Sequence, residues 1–182
     1  EIKEEISLFK ASDGQDVRRA ISHENAGLVD QARLIFEQIF NAKKSSSYIF
    51  SNYKNFLIRQ EDWGKLIEIS RKYASLNKGN SNAKLALAES LLYVSGKSVE
   101  YTELENEGYK IIDNLISENL TDIAEPTNLS KIKRYISRLI YYDKYELAIL
   151  KINQIRNQYN YPDFYSKELG KYYLSNREYE QS

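Results

Sequence analysis

The stretch "GLVDQARLIFEQIF", residues 27–40, decides the fold. Its apolar side chains Ala32, Phe36 and Ile39 recur at spacings of four and three, which sets them on one face of an α-helix. The same stripe returns in "EDWGKLIEISRKY" (61–73) as Trp63, Leu66, Ser70 and Tyr73, and again in "YDKYELAILKINQI" (142–155) as Tyr145, Ala148, Ile152 and Ile155. Ala32 and Leu66 stand 34 positions apart. A stripe that repeats at a fixed interval points to paired helices stacked as similar units, so the period has to be read before any single element.

Apolar residues recur at three and four positions along nearly the whole chain, interrupted at "ASDGQD", "HENAG", "LNKGNSN", "SGKSVEY", "ENLTDIAEPTN" and "NYPD". The pattern predicts helices over 2–10, 15–24, 28–43, 46–60, 62–77, 82–95, 101–118, 128–142, 144–159 and 163–175, with another starting at 177. No segment reads as a strand. Asp13, Asn82, Thr102, Asn128 and Asp163 stand where N-caps are wanted, and Pro162 follows a helix it cannot continue.

Composition narrows the class. Seven glycines and two prolines are too few for a β-sandwich with its many turns, and 42% hydrophobic residues are too many for a disordered chain. Lysine plus arginine equals aspartate plus glutamate at 26 each, so no overall field draws the chain to nucleic acid or an anionic membrane. The absence of cysteine excludes disulfides, thiolate metal sites and cysteine nucleophiles. No stretch approaches the roughly 20 apolar residues of a membrane span.

The last stretch, "LGKYYLSNREYEQS" (169–182), carries Leu169, Gly170, Tyr173 and Tyr179. Ile136 lies 34 positions before Gly170, and Ile132, Tyr135, Ile136, Leu139, Tyr145 and Ala148 form the corresponding set one period earlier. On these residues the chain resembles an array of divergent tetratricopeptide (TPR) repeats, in which a first helix carries leucine, a small residue and tyrosine, and a second opens with alanine. It departs from that pattern at Lys54, where a small residue belongs, and in extra residues within the pair "NAKLALAESLLYVSG" and "YTELENEGYKIIDNLI". The loop over about 119–128 is also long.

The resemblance implies an all-α fold, a right-handed α-α superhelix of stacked helical hairpins with about ten helices in one domain over 1–182. It also implies that the chain is a piece of a longer protein, since Ser182 falls where a second helix opens. Gly170 is expected at a close helix–helix contact. First helices line the concave side of such a stack, and side chains off the packing stripe face its groove. Those are Asn52, Asn55 and Arg59 from the second repeat, Lys133, Arg134 and Ser137 from the fourth, and Lys167 and Lys171 from the last. Of these, Asn52, Asn55, Lys133 and Arg134 loosely fit the donors with which TPR domains grip a partner's carboxylate, whereas the first repeat has Val17 and Ile21 where donors would be expected.

Other signals are weaker. His23 is the single histidine and reads as a helix-end residue. Glu103, Glu105 and Glu107 alternate around a helix and read as a solvated face. Lys131, Lys133, Arg134, Arg138 and Lys144 form a basic cluster beside Tyr135, Tyr141 and Tyr142, but Asp143 and Glu146 offset it. "NLT" at Asn119 and "NLS" at Asn128 satisfy the glycosylation pattern. The 16 tyrosines concentrate in "SRLIYYDKYE", "RNQYNYPDFY" and "GKYYLSNREY"; most occupy packing positions, and the remainder offer stacking platforms.

The expected function is a non-catalytic, cytoplasmic scaffold that binds a protein or peptide, with no cofactor, metal, nucleic acid or membrane insertion. Self-association through exposed terminal repeats is expected as well. The alternative is a helical accessory domain of a larger bacterial enzyme, such as a glycosyltransferase or another polysaccharide-biosynthesis protein. A composition rich in lysine, asparagine, isoleucine and tyrosine, as an AT-rich genome gives, favours a bacterial source.

Overall fold

A computed structural model describes residues 13–43, 46–167 and 170. Among the described residues the fold is all-helical, with eight α-helices and no strand. They are α1 (Asp13–Asn25), α2 (Val29–Ala42), α3 (Ser47–Arg59), α4 (Trp63–Leu76), α5 (Ser81–Ser95), α6 (Thr102–Leu120), α7 (Pro126–Tyr141) and α8 (Tyr145–Tyr159). A single 3-10 turn, Val99–Tyr101, leads into α6. The eight corresponding sequence-predicted helices agree with these to within two residues at each end. Those over 2–10 and from 177 lie outside the described residues. The expected helix over 163–175 opens later: the chain turns over 162–165, where Tyr165 takes a positive φ of 60°, and residues 166, 167 and 170 are helical.

The caps differ from the sequence expectation. Asn80 rather than Asn82 starts α5, its side-chain oxygen accepting from the Asn82 amide at 2.9 Å. Thr102 is the first residue of α6 and donates its hydroxyl back to the Val99 carbonyl. Asn128 lies inside α7, which opens with Pro126 in its first turn, where a missing N–H matters least. Asp163 opens a turn by accepting from the Ser166 amide. Side-chain caps also form at Ser46, accepting from Ile49 N at 3.4 Å, and at Asp62, accepting from Lys65 N at 3.1 Å.

The chain divides into two compact units, residues 1–87 and 88–182. In the first unit α1 packs on α2, α3 packs on α4, and α3 also touches both α1 and α2. The expected stripe is buried: Ala32, Phe36 and Ile39 from α2, Leu66, Ser70 and Tyr73 from α4. Aromatic rings fill this core. Phe36 stacks on Tyr53 with centroids 5.4 Å apart, and Phe50 stacks on Tyr73 at 4.2 Å. Polar side chains join neighbouring hairpins above it, with Arg33 donating to Asp62 and Lys72 donating to Asn41 at 2.9 Å.

In the second unit α6 packs on α7 and α7 on α8. Its core is mainly aliphatic, from Ile112, Leu115 and Ile116 of α6 to Ile132, Ile136 and Leu139 of α7 and Ile152 and Ile155 of α8, with Tyr135 among them. Gly108 permits the close approach of α6 to the C-terminal half of α5, because a Cβ there would lie 2.8 Å from Leu92 Cγ. At Gly170, expected to make such a contact, an added Cβ meets nothing within 4 Å among the described residues, and the position is exposed.

One turn recurs. At the ends of α1, α3 and α7 the residues Gly27, Glu61 and Asp143 adopt positive φ of 76°, 54° and 60°. Each donates its amide three residues back, to Glu24, Ile58 and Ile140. The next amide reaches five residues back in each case, Leu28 to His23, Asp62 to Leu57 and Lys144 to Leu139. This pair of bonds is a Schellman motif, which satisfies the carbonyls left open at a helix end and turns the chain back. The second helix begins two residues later every time, at Val29, Trp63 and Tyr145.

Candidate functional site

The sequence-predicted groove residues fall on α3 and α7. Asn52, Asn55 and Arg59 share one face of α3, by their spacing of three and four. Asn55 is exposed, whereas Asn52 donates to the Tyr48 carbonyl at 2.8 Å. Arg59 makes a two-pronged contact with Glu24 of α1, Nε to Oε1 at 2.8 Å and Nη2 to Oε2 at 2.7 Å. That contact holds the Glu24 carboxyl below its ordinary value, with burial opposing. Arg59 therefore joins two hairpins of the first unit.

On α7, Lys133 and Arg134 are exposed. The Ser137 hydroxyl is spent on the Lys133 carbonyl at 2.9 Å, and the Tyr165 hydroxyl donates to the same oxygen at 2.6 Å. Lys133 Nζ stands over the Phe164 ring at 5.8 Å. Lys167 is exposed, and Lys171 lies outside the described residues.

The basic cluster is divided by carboxylates. Arg138 pairs with Glu89 at 2.7 Å and Lys144 with Glu105 at 2.5 Å. Glu105 is thus half-buried and engaged rather than part of a solvated face. His23 ends α1, its ring nitrogen against the Arg19 carbonyl at 2.9 Å. Asn119 is buried and donates to the Leu115 carbonyl, which removes it as a glycosylation acceptor in the folded chain. Among the described residues no group of three or more His, Cys, Asp or Glu could hold a metal ion, and no helix is long and apolar enough to cross a membrane.

Sequence reasoning passed over the most distinctive concavity, a hollow of about 360 Å³ in the second unit. The end of α5 gives Tyr93 and Lys97, α6 gives Glu105 and Tyr109, and the α7–α8 turn gives the run from Tyr141 to Lys144. A second hollow of about 480 Å³ adjoins it and shares Tyr109, Asp143 and Lys144. The positive φ of Asp143 folds this turn back, and the tyrosine pair and Lys144 line the same hollow. Tyr141 and Tyr142 meet edge to face at 5.0 Å, and Tyr141 is 69% exposed.

Charge in the hollow is organised around the rings. Lys144 Nζ lies 5.2 Å from the Tyr109 ring centre, and Lys97 Nζ lies 4.6 Å from that of Tyr93. The Tyr109 hydroxyl donates to Glu105 at 3.2 Å and the Tyr142 hydroxyl to the Glu89 carbonyl at 3.1 Å. Burial first, then Glu105 and Asp143, push the Tyr109 hydroxyl well above its ordinary value. Burial and Glu89 do the same to Tyr142. The Lys144 contact lowers Glu105. These phenols stay protonated, their O–H groups already given to Glu105 and to the Glu89 carbonyl.

The signal for this site was the doublet Tyr141–Tyr142 before Asp143, two rings at a helix end where the packing stripe needs none. Comparison with protein-family models, curated proteins and solved structures finds no match to this chain.

Proposed function

We propose that this chain is a non-catalytic scaffold of TPR-like hairpins that binds an extended segment of a partner protein in the cytoplasm. The observation that supports this reading is the recurrence of one Schellman turn, with the same bonds, at Gly27, Glu61 and Asp143, the first two 34 positions apart. A shared turn at shared spacing is what stacked repeats require, since each hairpin must present the same face to the next. On this reading the hairpins form a right-handed superhelix, first helices line its groove, and Asn55, Arg134 and the tyrosine-lined hollow belong to the binding surface.

The test is selection of a phage-displayed random peptide library on the 182-residue chain. Enriched sequences, made as free peptides, are expected to bind one to one by calorimetry, and Asn55→Ala with Arg134→Ala to weaken them without loss of helicity. A library that gives no peptide with measurable binding would sink the scaffold reading.

A further inference from the structure

The hollow already shows which charge its rings accept. Two of its aromatic faces carry the chain's own ammonium groups, Lys144 over Tyr109 and Lys97 over Tyr93. The Lys144 arrangement is the fuller one: a cation between a ring face and the carboxylate of Glu105. The same ingredients occur once more, a few residues away, without the cation. Tyr141 presents a largely exposed ring against Tyr142, and the exposed Asp143 carboxylate follows in sequence. Asp143 accepts a hydrogen bond from the Tyr145 hydroxyl at 3.1 Å and makes no ion pair among the described residues, the Lys144 ammonium in the same hollow being held by Glu105.

Charge complementarity points the same way. The lining of the two hollows carries Lys97 and Lys144 against Glu105, Asp143 and Glu146, a net charge of −1, with Lys144 paired to Glu105. Burial is the main reason the Tyr109 hydroxyl is raised, and the charges of Glu105 and Asp143 add to it. Among the described residues that line the hollows, a carboxylate ligand would find the ammonium groups of Lys97 and Lys144 already placed on rings. A cation would gain ring quadrupole and carboxylate together.

We propose that the Tyr141–Tyr142 pair and Asp143 form a recognition site for a basic side chain, an arginine before a lysine, within an extended partner peptide. Arginine is favoured because its planar guanidinium stacks on a tyrosine ring while its N–H groups reach a carboxylate. The adjoining hollows, of about 360 and 480 Å³ and both lined by Asp143, suit a chain that continues past the anchor. This assignment rests on the scaffold reading, and it names the partner's chemistry.

The experiment titrates the full chain with capped nonapeptide pools whose central residue is Arg, Lys, Gln or Glu, the other positions being mixtures of uncharged residues. The arginine pool is expected to bind about tenfold tighter than the glutamine pool, with lysine between them. Tyr141→Ala and Asp143→Asn should each abolish most of that preference while leaving the circular dichroism unchanged. Asparagine tolerates the positive φ, so Asp143→Asn tests charge and not the turn. Pools that bind equally, or a glutamate pool that binds best and weakens in Lys97→Ala, overturn the cation assignment and leave the scaffold standing. No binding by any pool overturns both.

Discussion

The two units differ in how much of their interior is aromatic. In residues 1–87 the rings are the interior: Phe36, Tyr53 and Phe56 are fully buried and mutually in contact, and Tyr73 lies flat on Phe50. In residues 88–182 aliphatic side chains build most of the interior, and Tyr93, Tyr109, Tyr141 and Tyr142 line an open hollow. A residue type does not carry its role with it. Tyr53 is fixed by its place on the buried stripe, whereas Tyr141 ends α7 beyond that stripe and keeps its ring in water.

The sharpest way to break this contrast is to delete one ring from each unit. Phe36→Ala should lose about 4 kcal/mol, the usual cost of emptying a buried phenylalanine site. Tyr141→Ala should change stability by less than about 0.5 kcal/mol, because it is 69% exposed. Urea unfolding followed by circular dichroism measures both; equal losses would mean the hollow is a core in disguise. Helix contact gives the next largest effect. Gly108→Leu should lose about 3 kcal/mol by driving a side chain into Leu92 and the Ala88 carbonyl. Gly64→Ala, where a Cβ meets nothing within 4 Å, should gain about 0.5 kcal/mol from helix propensity. Thermal melts that move in the same direction for both variants would contradict the packing.

The units also differ in how a charge pair joins their elements. Glu24, with an 11% exposed side chain, meets both prongs of Arg59, while Glu105 meets the single ammonium of Lys144. Glu24→Gln should cost about 1 kcal/mol at pH 7, discounted because half of Arg59 is in water. The folded carboxyl lies below its ordinary 4.5, so the pair's contribution is complete above that pH and is lost as pH falls through the folded value. The stability gap between wild type and Glu24→Gln should therefore close in acid. A gap that stays constant down to pH 2 would show that the lost shape, and not the charge, carries the effect.

How much of this was legible in the sequence follows from the range of each interaction. Helix positions were legible because a stripe such as Ala32, Phe36 and Ile39 is a local signal, repeated along the chain. Caps were not, because "LNKGNSN" offers Asn77, Asn80, Ser81 and Asn82 within six residues and only backbone geometry selects Asn80. Arg59 read as a groove donor because Glu24, its partner, is 35 residues away. The hollow was hidden for the same reason: Glu105 and Lys144 stand 39 positions apart, across the connection between α6 and α7.

The smallest expected effect bears most directly on what the units share. Glu61 and Asp143 hold the left-handed position that glycine fills at Gly27. A side chain there costs about 1 kcal/mol or more in the folded chain, while glycine adds freedom to the unfolded one, so Glu61→Gly and Asp143→Gly should each gain about 0.5 kcal/mol. Gly27→Ala should lose about 1 kcal/mol for the converse reason. Equal gains at 61 and 143, measured by chemical unfolding, would mean that one backbone turn is doing the same job in both units. A gain at 61 with a loss at 143 would separate them: the Asp143 carboxylate would then be worth more to its turn, through Tyr145, than the strain it imposes.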